Sequence, residues 1–240
     1  MRFAEITKEN VKPEVLAIIP ARGGSKGIPR KNLQMLGSKP LVAWAVETAL
    51  AERGISRVVV STDDPEIASV ARDYGAEVPF LRGDGISGDR AEIAQALSHV
   101  REGLFKREGY APTHQLVLYP THPFRRASTL SAVVDTLCSG YQTVNTVKRM
   151  DFANERYFYE REGRLLPYGD NRLVPYVRTY GYAAGRALRF SANGHYQYVL
   201  TDDVELIDID TWADLELARE VVNHNPVSYT HLTLPTKRIV

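Results

Sequence analysis

The chain has 240 residues, of which 44% are apolar and 25% charged, and this ordinary globular usage excludes disordered, collagen-like and disulfide-rich classes. Lys and Arg (30) balance Asp and Glu (29), so the net charge of +1 lacks the basic excess of a general nucleic-acid or membrane-surface binder. The single cysteine, Cys138, excludes an intramolecular disulfide. The sequence has neither an apolar run of roughly 18 residues nor a secretory signal, so we expect a cytoplasmic protein that binds no membrane.

Up to residue 148 the chain alternates short apolar runs with stretches of helical spacing. The apolar or alternating runs predict strands at 15–20, 57–62, 76–80, 115–119 and 142–148. Apolar residues at three- and four-residue spacing predict helices at 40–53, from Asp63 or Asp64 to Tyr74, at about 89–106 and at 127–138. This alternation predicts an α/β fold with a doubly wound, mostly parallel, Rossmann-like sheet, whose ligand crevice lies beyond the carboxyl ends of the strands.

The pattern changes between residues 149 and 200, which are rich in tyrosine. This segment predicts an insertion of extended chain and loops, and its aromatic side chains indicate either an interface, with a second subunit or a substrate, or a self-packed lobe. A strand at 204–209 and a helix at 211–222 complete one predicted domain over 15–225. Residues 226–240 have no amphipathic pattern, and we expect either a disordered terminus or a non-native tail.

Residues 21–32, ARGGSKGIPRKN, lie between the first predicted strand and the first long helix. The segment contains three glycines, which let backbone amides approach a ligand: Gly23, Gly24 and Gly27. It also contains four cationic residues and no acidic one; the cationic residues are Arg22, Lys26, Arg30 and Lys31. Amides and cations after a strand are typical of a polyphosphate site. The segment matches neither the Walker A loop nor GxGxxG. A basic surface turn without a ligand is the alternative interpretation.

These residues carry a resemblance to a known family. AIIPARGGSKGIPRKN at 17–32 resembles the opening of the acylneuraminate cytidylyltransferases, the CMP–sialic acid synthetases. The resemblance spans about 15–222 and continues through VVVSTDDPEIASVARDYGAEVPFLR at 58–82, Gly88–Asp89, LYPTHPFR at 118–125 and IDIDTWADLELA at 207–218. It implies a nucleotidyltransferase that moves CMP from CTP to the anomeric hydroxyl of a nine-carbon 2-keto sugar acid and releases pyrophosphate. It also implies a homodimer, with 149–200 used for dimerisation.

The resemblance assigns roles on the nucleotide. The triphosphate would be held by the loop, and Arg22 and Lys31 would also stabilise the departing pyrophosphate. Asn32 would contact the nucleoside, and Arg82 and Asp89 would border the cytidine pocket, although Arg82 can also be a surface arginine. The expected triphosphate residues are Arg22, Gly23, Gly24, Ser25, Lys26 and Lys31.

A physical argument that does not depend on the resemblance favours a metal site at Asp208 and Asp210. Residues two apart in a strand share a face, so two carboxylates at a strand's carboxyl end can reach one Mg²⁺, which takes its other ligands from water and substrate phosphates. Asp210 can instead be the N-cap of the helix that starts at Thr211. The resemblance favours the metal, and it makes Asp210 catalytic.

The residues expected to contact the sugar differ from the family pattern. In 118–125 the family pattern is LLQPTSPLR, so Tyr119 replaces a glutamine close to the sugar and His122 replaces a serine. We therefore expect an acceptor other than ordinary N-acetylneuraminate, with His122 either a turn histidine or a catalytic one. In the family an arginine pairs with the sugar carboxylate, and Arg172 is the best match to it, with Arg178 second.

Three other functions fit the same residues. The chain can be a nucleotidyltransferase of the same fold with another sugar or triphosphate, or a non-catalytic nucleotide-binding domain. It can also be a glycosyltransferase that uses a nucleotide sugar. Only a nucleotidyltransferase releases pyrophosphate.

Overall fold

A computed structural model describes residues 12–83, 91–150, 158–161, 164–167, 176–188 and 193–224. Strands and helices alternate along these residues, and a short 3-10 helix, Lys31–Leu33, follows the glycine-containing loop. The strands are β1 (Val15–Pro20), β2 (Met35–Leu36), β3 (Lys39–Pro40), β4 (Arg57–Ser61), β5 (His114–Val117), β6 (Tyr141–Met150), β7 (Phe158–Arg161), β8 (Arg164–Pro167), β9 (Tyr176–Ala187) and β10 (Asn193–Leu200). The helices are α1 (Leu41–Ala51), α2 (Pro65–Asp73), α3 (Ala91–Glu108), α4 (Ala127–Cys138) and α5 (Trp212–His224).

Six strands form one sheet in the order β10-β6-β9-β5-β1-β4. Strand β9 pairs antiparallel with both of its neighbours, and the other three pairings are parallel. The prediction of a mostly parallel sheet is therefore confirmed. Two short hairpins, β2–β3 and β7–β8, lie outside this sheet.

Helices cover both faces of the sheet. In β1 the side chains alternate: Val15, Ala17 and Ile19 pack in the cluster that includes α1, α2 and α4. Leu16 and Ile18 point the other way, into the cluster that includes α3. Because a strand with two buried faces needs apolar residues at every position, the run VLAIIP is explained by this layering. The doubly wound architecture is confirmed.

Two predicted strands are absent. In 76–80 only Glu77 forms a bridge, to Val59, and Pro79 has no N–H to continue a ladder. Residues 204–209 form turns and an irregular segment, because the Asp202 side chain accepts hydrogen bonds from the N–H groups of Val204 and Glu205 (2.9 and 3.3 Å). Such an aspartate turn satisfies backbone groups that a strand would need for its ladder.

The segment 149–200 is not wholly separate from the main sheet. Strand β9 runs through the middle of the sheet, between β6 and β5, and β10 forms one edge. The expected extended chain is present, but a large part of it belongs to the regular core. Residues 226–240 lie outside the described part of the chain. Among the described residues, no helix is both long and apolar enough to cross a bilayer.

Candidate functional site

A cleft of about 630 Å³ lies beyond the carboxyl ends of β1 and β5. Cationic side chains from the loop after β1 meet two carboxylates from the segment before α5, and residues after β5 form another wall. The predicted site residues among its lining are Arg22, Gly24, Ser25, Lys26, Lys31, Asn32, Arg82, Tyr119, His122, Asp208 and Asp210. The cluster of cations and the pair of aspartates therefore face the same space, as the sequence predicts.

Acidic side chains at the end of β4 hold the glycine-containing loop. The Gly23 N–H donates to Asp63 Oδ1 at 2.9 Å, and a Cβ at Gly23 would lie 2.7 Å from Asp64 Oδ2. Gly23 thus lies against β4's end and does not line the cleft, unlike Gly24. Arg30 has the left-handed φ of 51°, and its Nη2 pairs with Asp64 (3.1 Å) and Glu66 (2.9 Å). Arg30 therefore shapes the loop from outside the cleft.

Asp208 and Asp210 flank a buried isoleucine. Ile209 packs with Trp44 and Phe124, and its N–H donates to the Thr121 carbonyl oxygen at 2.9 Å. Both aspartates line the cleft, so the alternation expected of a strand holds in a segment without a ladder. The geometric basis of the prediction was wrong, but the two carboxylates share the cleft.

Other residues cap α5, so Asp210 is not the cap. The Thr211 N–H and Oγ1 donate to Asp214 Oδ2 at 2.7 and 2.8 Å, and the Asp214 N–H donates back to Thr211 Oγ1 at 3.3 Å. This is a reciprocal capping box. The Asp210 carboxylate is 70% exposed and faces the cleft, which removes the alternative role considered for it.

Lys31 joins the loop to the carboxylates. Its Nζ donates to Asp210 Oδ1 at 2.6 Å and to the Ile209 carbonyl oxygen at 2.9 Å, while its side chain is only 13% exposed. A second close contact binds the same two segments, because a Cβ at Gly27 would lie 2.3 Å from the Asp210 carbonyl oxygen. Only glycine allows the two backbones to approach so closely.

The carboxylate pair fits a magnesium ion. Burial raises the pKa of Asp208 and the nearby Asp210 carboxylate raises it further, while a hydrogen bond to Thr121 lowers it. A bound cation would relieve both unfavourable effects. Among the described residues no group of three or more His, Cys, Asp or Glu side chains could hold a metal. Two carboxylates and substrate phosphates suit magnesium, which rarely has an all-protein cage.

Tyr119 and His122 form a further wall of the cleft with Gly181 of β9. A Cβ at Gly181 would lie 3.2 Å from Tyr119 Cδ2 and 3.2 Å from His122 Cε1, so the glycine leaves room for both rings. His122 is 2% exposed, and burial lowers its pKa well below the usual value, with help from the charges of Arg125 and Lys31. At neutral pH its ring is therefore neutral, and its 3.6 Å approach to Asp208 is not an ion pair.

Sequence reasoning missed several residues that build the site. Asp63 was considered only as one of two possible starts of the second predicted helix. Asp64 caps that helix, α2, by accepting from the N–H groups of Glu66 (2.8 Å) and Ile67 (3.1 Å). Gly181 lies in the segment interpreted as an insertion, and Thr211-x-x-Asp214 is a capping pattern that the sequence does show. The predicted site residues Asp89 and Arg172 lie outside the described residues.

Comparison with known proteins gives a consistent result. A family model described as cytidylyltransferase matches residues 16–157. Pseudaminic acid cytidylyltransferase of Campylobacter jejuni is 30% identical over 227 residues, which cover 87% of this chain and 97% of the relative. CMP-N,N'-diacetyllegionaminic acid synthase of Legionella pneumophila is 39% identical over 123 residues (50% and 52%). N-acylneuraminate cytidylyltransferase of Escherichia coli is 30% identical over 226 residues (87% and 52%). The chain thus spans about half the length of the last two relatives.

Solved structures share the fold. CMP:2-keto-3-deoxy-manno-octonic acid synthetase complexed with CTP has a TM-score of 0.64 at 19% identity, over 88% of this chain and 99% of that one. 4-Diphosphocytidyl-2C-methyl-D-erythritol synthase from Anaerococcus prevotii has a TM-score of 0.61 at 12% identity, over 89% and 100%. At such identities the likeness shows the fold alone, and the predicted Rossmann-like α/β class is confirmed.

Proposed function

This chain belongs to the cytidylyltransferase family, with the acylneuraminate cytidylyltransferases, and we propose that it transfers CMP from CTP to the anomeric hydroxyl of a nine-carbon 2-keto sugar acid. Pyrophosphate is the second product. The observation that carries the proposal is the single cleft in which the loop cations and the paired aspartates meet. The alignment with pseudaminic acid cytidylyltransferase over 97% of that protein supports the sugar-acid class.

The loop after β1 binds the triphosphate in this proposal. Arg22, Lys26 and Lys31 supply positive charge to its oxygens, and charge-assisted hydrogen bonds of this type are stronger than neutral ones. The Asn32 side chain donates to the Arg22 carbonyl oxygen at 2.9 Å and so fixes the backbone at Arg22. Arg82 Nη2 lies 3.7 Å from Asp63 Oδ1, which places this arginine beside the same loop. The arrangement holds the leaving pyrophosphate with groups that are already in position.

We propose Mg²⁺ as the cofactor, with Asp208 and Asp210 as its protein ligands. Bound there, the ion would offset the negative charge of the α-phosphate. Lys31 orients the Asp210 carboxylate and lies on the side of the leaving group. Tyr119 and His122 line the wall where the sugar acid would lie, so they orient its hydroxyl. Positioning and charge neutralisation supply most of the acceleration in such a transfer.

Pyrophosphate release tests this proposal. The protein is incubated with magnesium, each of CTP, UTP, ATP and GTP, and a panel of eight- and nine-carbon keto sugar acids. We expect release with CTP and a nine-carbon acid. Arg22→Met should lower kcat/KM by roughly a hundredfold, which is the typical effect of losing one charge-stabilising donor. Arg53→Met, which changes an exposed arginine outside the cleft, is the matched control and should behave like the wild type.

The outcomes separate the competing functions. Release with another triphosphate or only with an eight-carbon acid would move the protein to a different reaction of the same class. CTP binding without release in any combination would make it a nucleotide-binding domain. Equal activities of Arg22→Met and Arg53→Met would contradict the assignment of the loop.

The quaternary structure is a separate proposal. We propose a homodimer that uses residues 149–200, supported by the position of β10 at the sheet edge, where Tyr196 and Val199 are both exposed. Light scattering after size-exclusion chromatography should give twice the chain mass of 26.9 kDa, and a monomer would contradict it. A cytoplasmic location stays a prediction from the sequence.

A further inference from the structure

A buried arginine lies behind the wall formed by Tyr119 and His122. Arg125 is 5% exposed and does not line the cleft. Its guanidinium donates to three backbone carbonyl oxygens, those of Tyr119 (2.6 Å), His122 (2.5 Å) and Tyr182 (2.9 Å). The first two belong to the loop after β5 and the third belongs to β9. Arg125 therefore fixes the backbone that carries both wall side chains to the sheet.

A buried carboxylate occupies the other side of Tyr182. Glu205 is 4% exposed and accepts hydrogen bonds from the Tyr182 hydroxyl (2.5 Å), the Arg126 N–H (2.9 Å) and Thr129 Oγ1 (3.0 Å). It lies three residues before Asp208. The carboxylate thus connects β9 and the start of α4 to the segment that carries the paired aspartates.

The hydrogen bonds and the chain segments between them form a closed loop, called here the hydrogen-bonded ring. The Ile209 N–H donates to the Thr121 carbonyl oxygen at 2.9 Å, and this bond connects the aspartate segment to the loop after β5. The guanidinium of Arg125 also lies over the Tyr182 ring, 5.2 Å from its centroid. Hydrogen bonds in a buried network reinforce one another, so the removal of one partner weakens the bonds that remain.

The cost of this network argues for a role beyond packing. Burial lowers the pKa of Arg125 to about 10, so the buried charge is unfavourable even beside Tyr182 and Glu205. Well-packed apolar residues often stabilise a fold as well as buried charges or better. The specific result of the charged groups here is the geometry that they impose on two walls of the cleft.

We propose that Arg125, Tyr182 and Glu205 are positioning residues that set the distance between the acceptor wall at 119–122 and the carboxylates at 208–210. This inference rests on the proposed function, in which the sugar hydroxyl lies at the first wall and the α-phosphate at the second. None of the three lines the cleft, so each acts through the backbone of residues that do. An error of about 1 Å in such a distance can lower the rate about a hundredfold.

The test removes one hydroxyl group from the hydrogen-bonded ring. Tyr182→Phe keeps the aromatic ring and deletes the hydrogen bond to Glu205. Thr48→Val is the matched control, because the Thr48 hydroxyl is also buried but bonds only to the Trp44 carbonyl oxygen within α1 (2.7 Å). Thr129→Val, which deletes a different donor to Glu205, is the milder variant if Tyr182→Phe does not fold.

Two readouts are compared. For Tyr182→Phe we expect kcat to fall about tenfold or more while KM for CTP changes less than about twofold, because the triphosphate contacts are outside the ring. By NMR, hydrogen exchange of the Ile209 amide should accelerate about tenfold, and that of Ile19 in β1 should not change. The control variant should show neither effect.

Each result decides the inference. Wild-type kcat and wild-type Ile209 exchange in Tyr182→Phe would overturn it, and so would equal changes in Thr48→Val. If the wild-type protein releases no pyrophosphate from CTP, the proposed function fails, and the positioning role for catalysis fails with it. Ile209 exchange would then still show whether the ring joins the two walls.

Discussion

Gly27 makes the sharpest structural prediction, because it lies against the backbone of the segment that carries the aspartates. A methyl group at this position would lie 2.3 Å from the Asp210 carbonyl oxygen, whereas ordinary carbon–oxygen contacts begin near 3.4 Å. Since the obstacle is backbone, Gly27→Ala must separate the two segments by about 1 Å. The movement would disturb the Lys31 hydrogen bonds to Asp210 and Ile209.

Two effects of Gly27→Ala can be estimated. Overpacking of this kind costs about 1–3 kcal/mol of unfolding free energy. A displacement of about 1 Å between the cations and carboxylates should lower kcat about a hundredfold. We would measure urea unfolding and pyrophosphate release with CTP and magnesium.

Gly24→Ala, in the same loop, is the control, because no atom of the described residues lies within 4 Å of a methyl group at Gly24. Its unfolding free energy should equal that of the wild type. If Gly27→Ala is as stable as Gly24→Ala and retains wild-type kcat, the close approach of the two backbones is not needed, and the reasoning is refuted.

Three further predictions concern single side chains. Asp210→Asn should lower the rate of pyrophosphate release at least about a hundredfold. The melting temperature should change little, because the Asp210 carboxylate is 70% exposed and an ion pair to such a group contributes at most about 1 kcal/mol. Tyr119→Gln should shift the ratio of kcat/KM values towards N-acetylneuraminate, since it restores the amide donor and acceptor of the family pattern in place of the tyrosine ring and hydroxyl. His114→Gln should flatten the pH dependence of stability: burial lowers the His114 pKa from 6.5, so the unfolded chain binds the proton first and the wild type loses stability as the pH falls below about 6.5. Urea unfolding at pH 7.5 and 5.5 measures this effect. The unfolding free energy of the wild type should change with pH more steeply than that of His114→Gln, by no more than about 1.4 kcal/mol per pH unit.

Specific results would contradict each of these. Asp203→Asn, at an exposed position outside the cleft, is the control for Asp210, and equal activities of the two variants would remove Asp210 from the site. An unchanged acceptor ratio in Tyr119→Gln would show that this ring does not select the sugar. Parallel stability curves for the wild type and His114→Gln would mean that burial does not perturb this histidine.

Local elements were the most predictable part of the fold. Helix α4 begins and ends at the predicted residues, 127 and 138, because its apolar spacing depends only on neighbouring residues. The position of β9 in the middle of the sheet depends on pairing with β5 and β6, which are distant in sequence. No local pattern encodes such pairing, so 149–200 was interpreted as an insertion.

In the candidate site, too, the features that depend on local sequence were predictable and the contacts between distant segments were not. The loop cations and the aspartate pair were predictable, because their types and their positions beside predicted elements indicate phosphate and metal chemistry. The alternation in VELIDI suggested a strand, but the Asp202 side chain makes a turn there, and the two aspartates reach the cleft through the burial of Ile209. The contact of Gly27 with Asp210 and the ring through Arg125 join segments far apart in sequence, so they become visible only in three dimensions.

A crystal structure of the protein with CTP and Mn²⁺ tests the central claim most directly. Manganese replaces magnesium at oxygen sites and is located by its anomalous scattering. The account predicts the triphosphate beside Arg22 and Lys31, with the metal between the α-phosphate and the carboxylates of Asp208 and Asp210. A triphosphate bound outside this cleft, or a metal remote from both carboxylates, would contradict it.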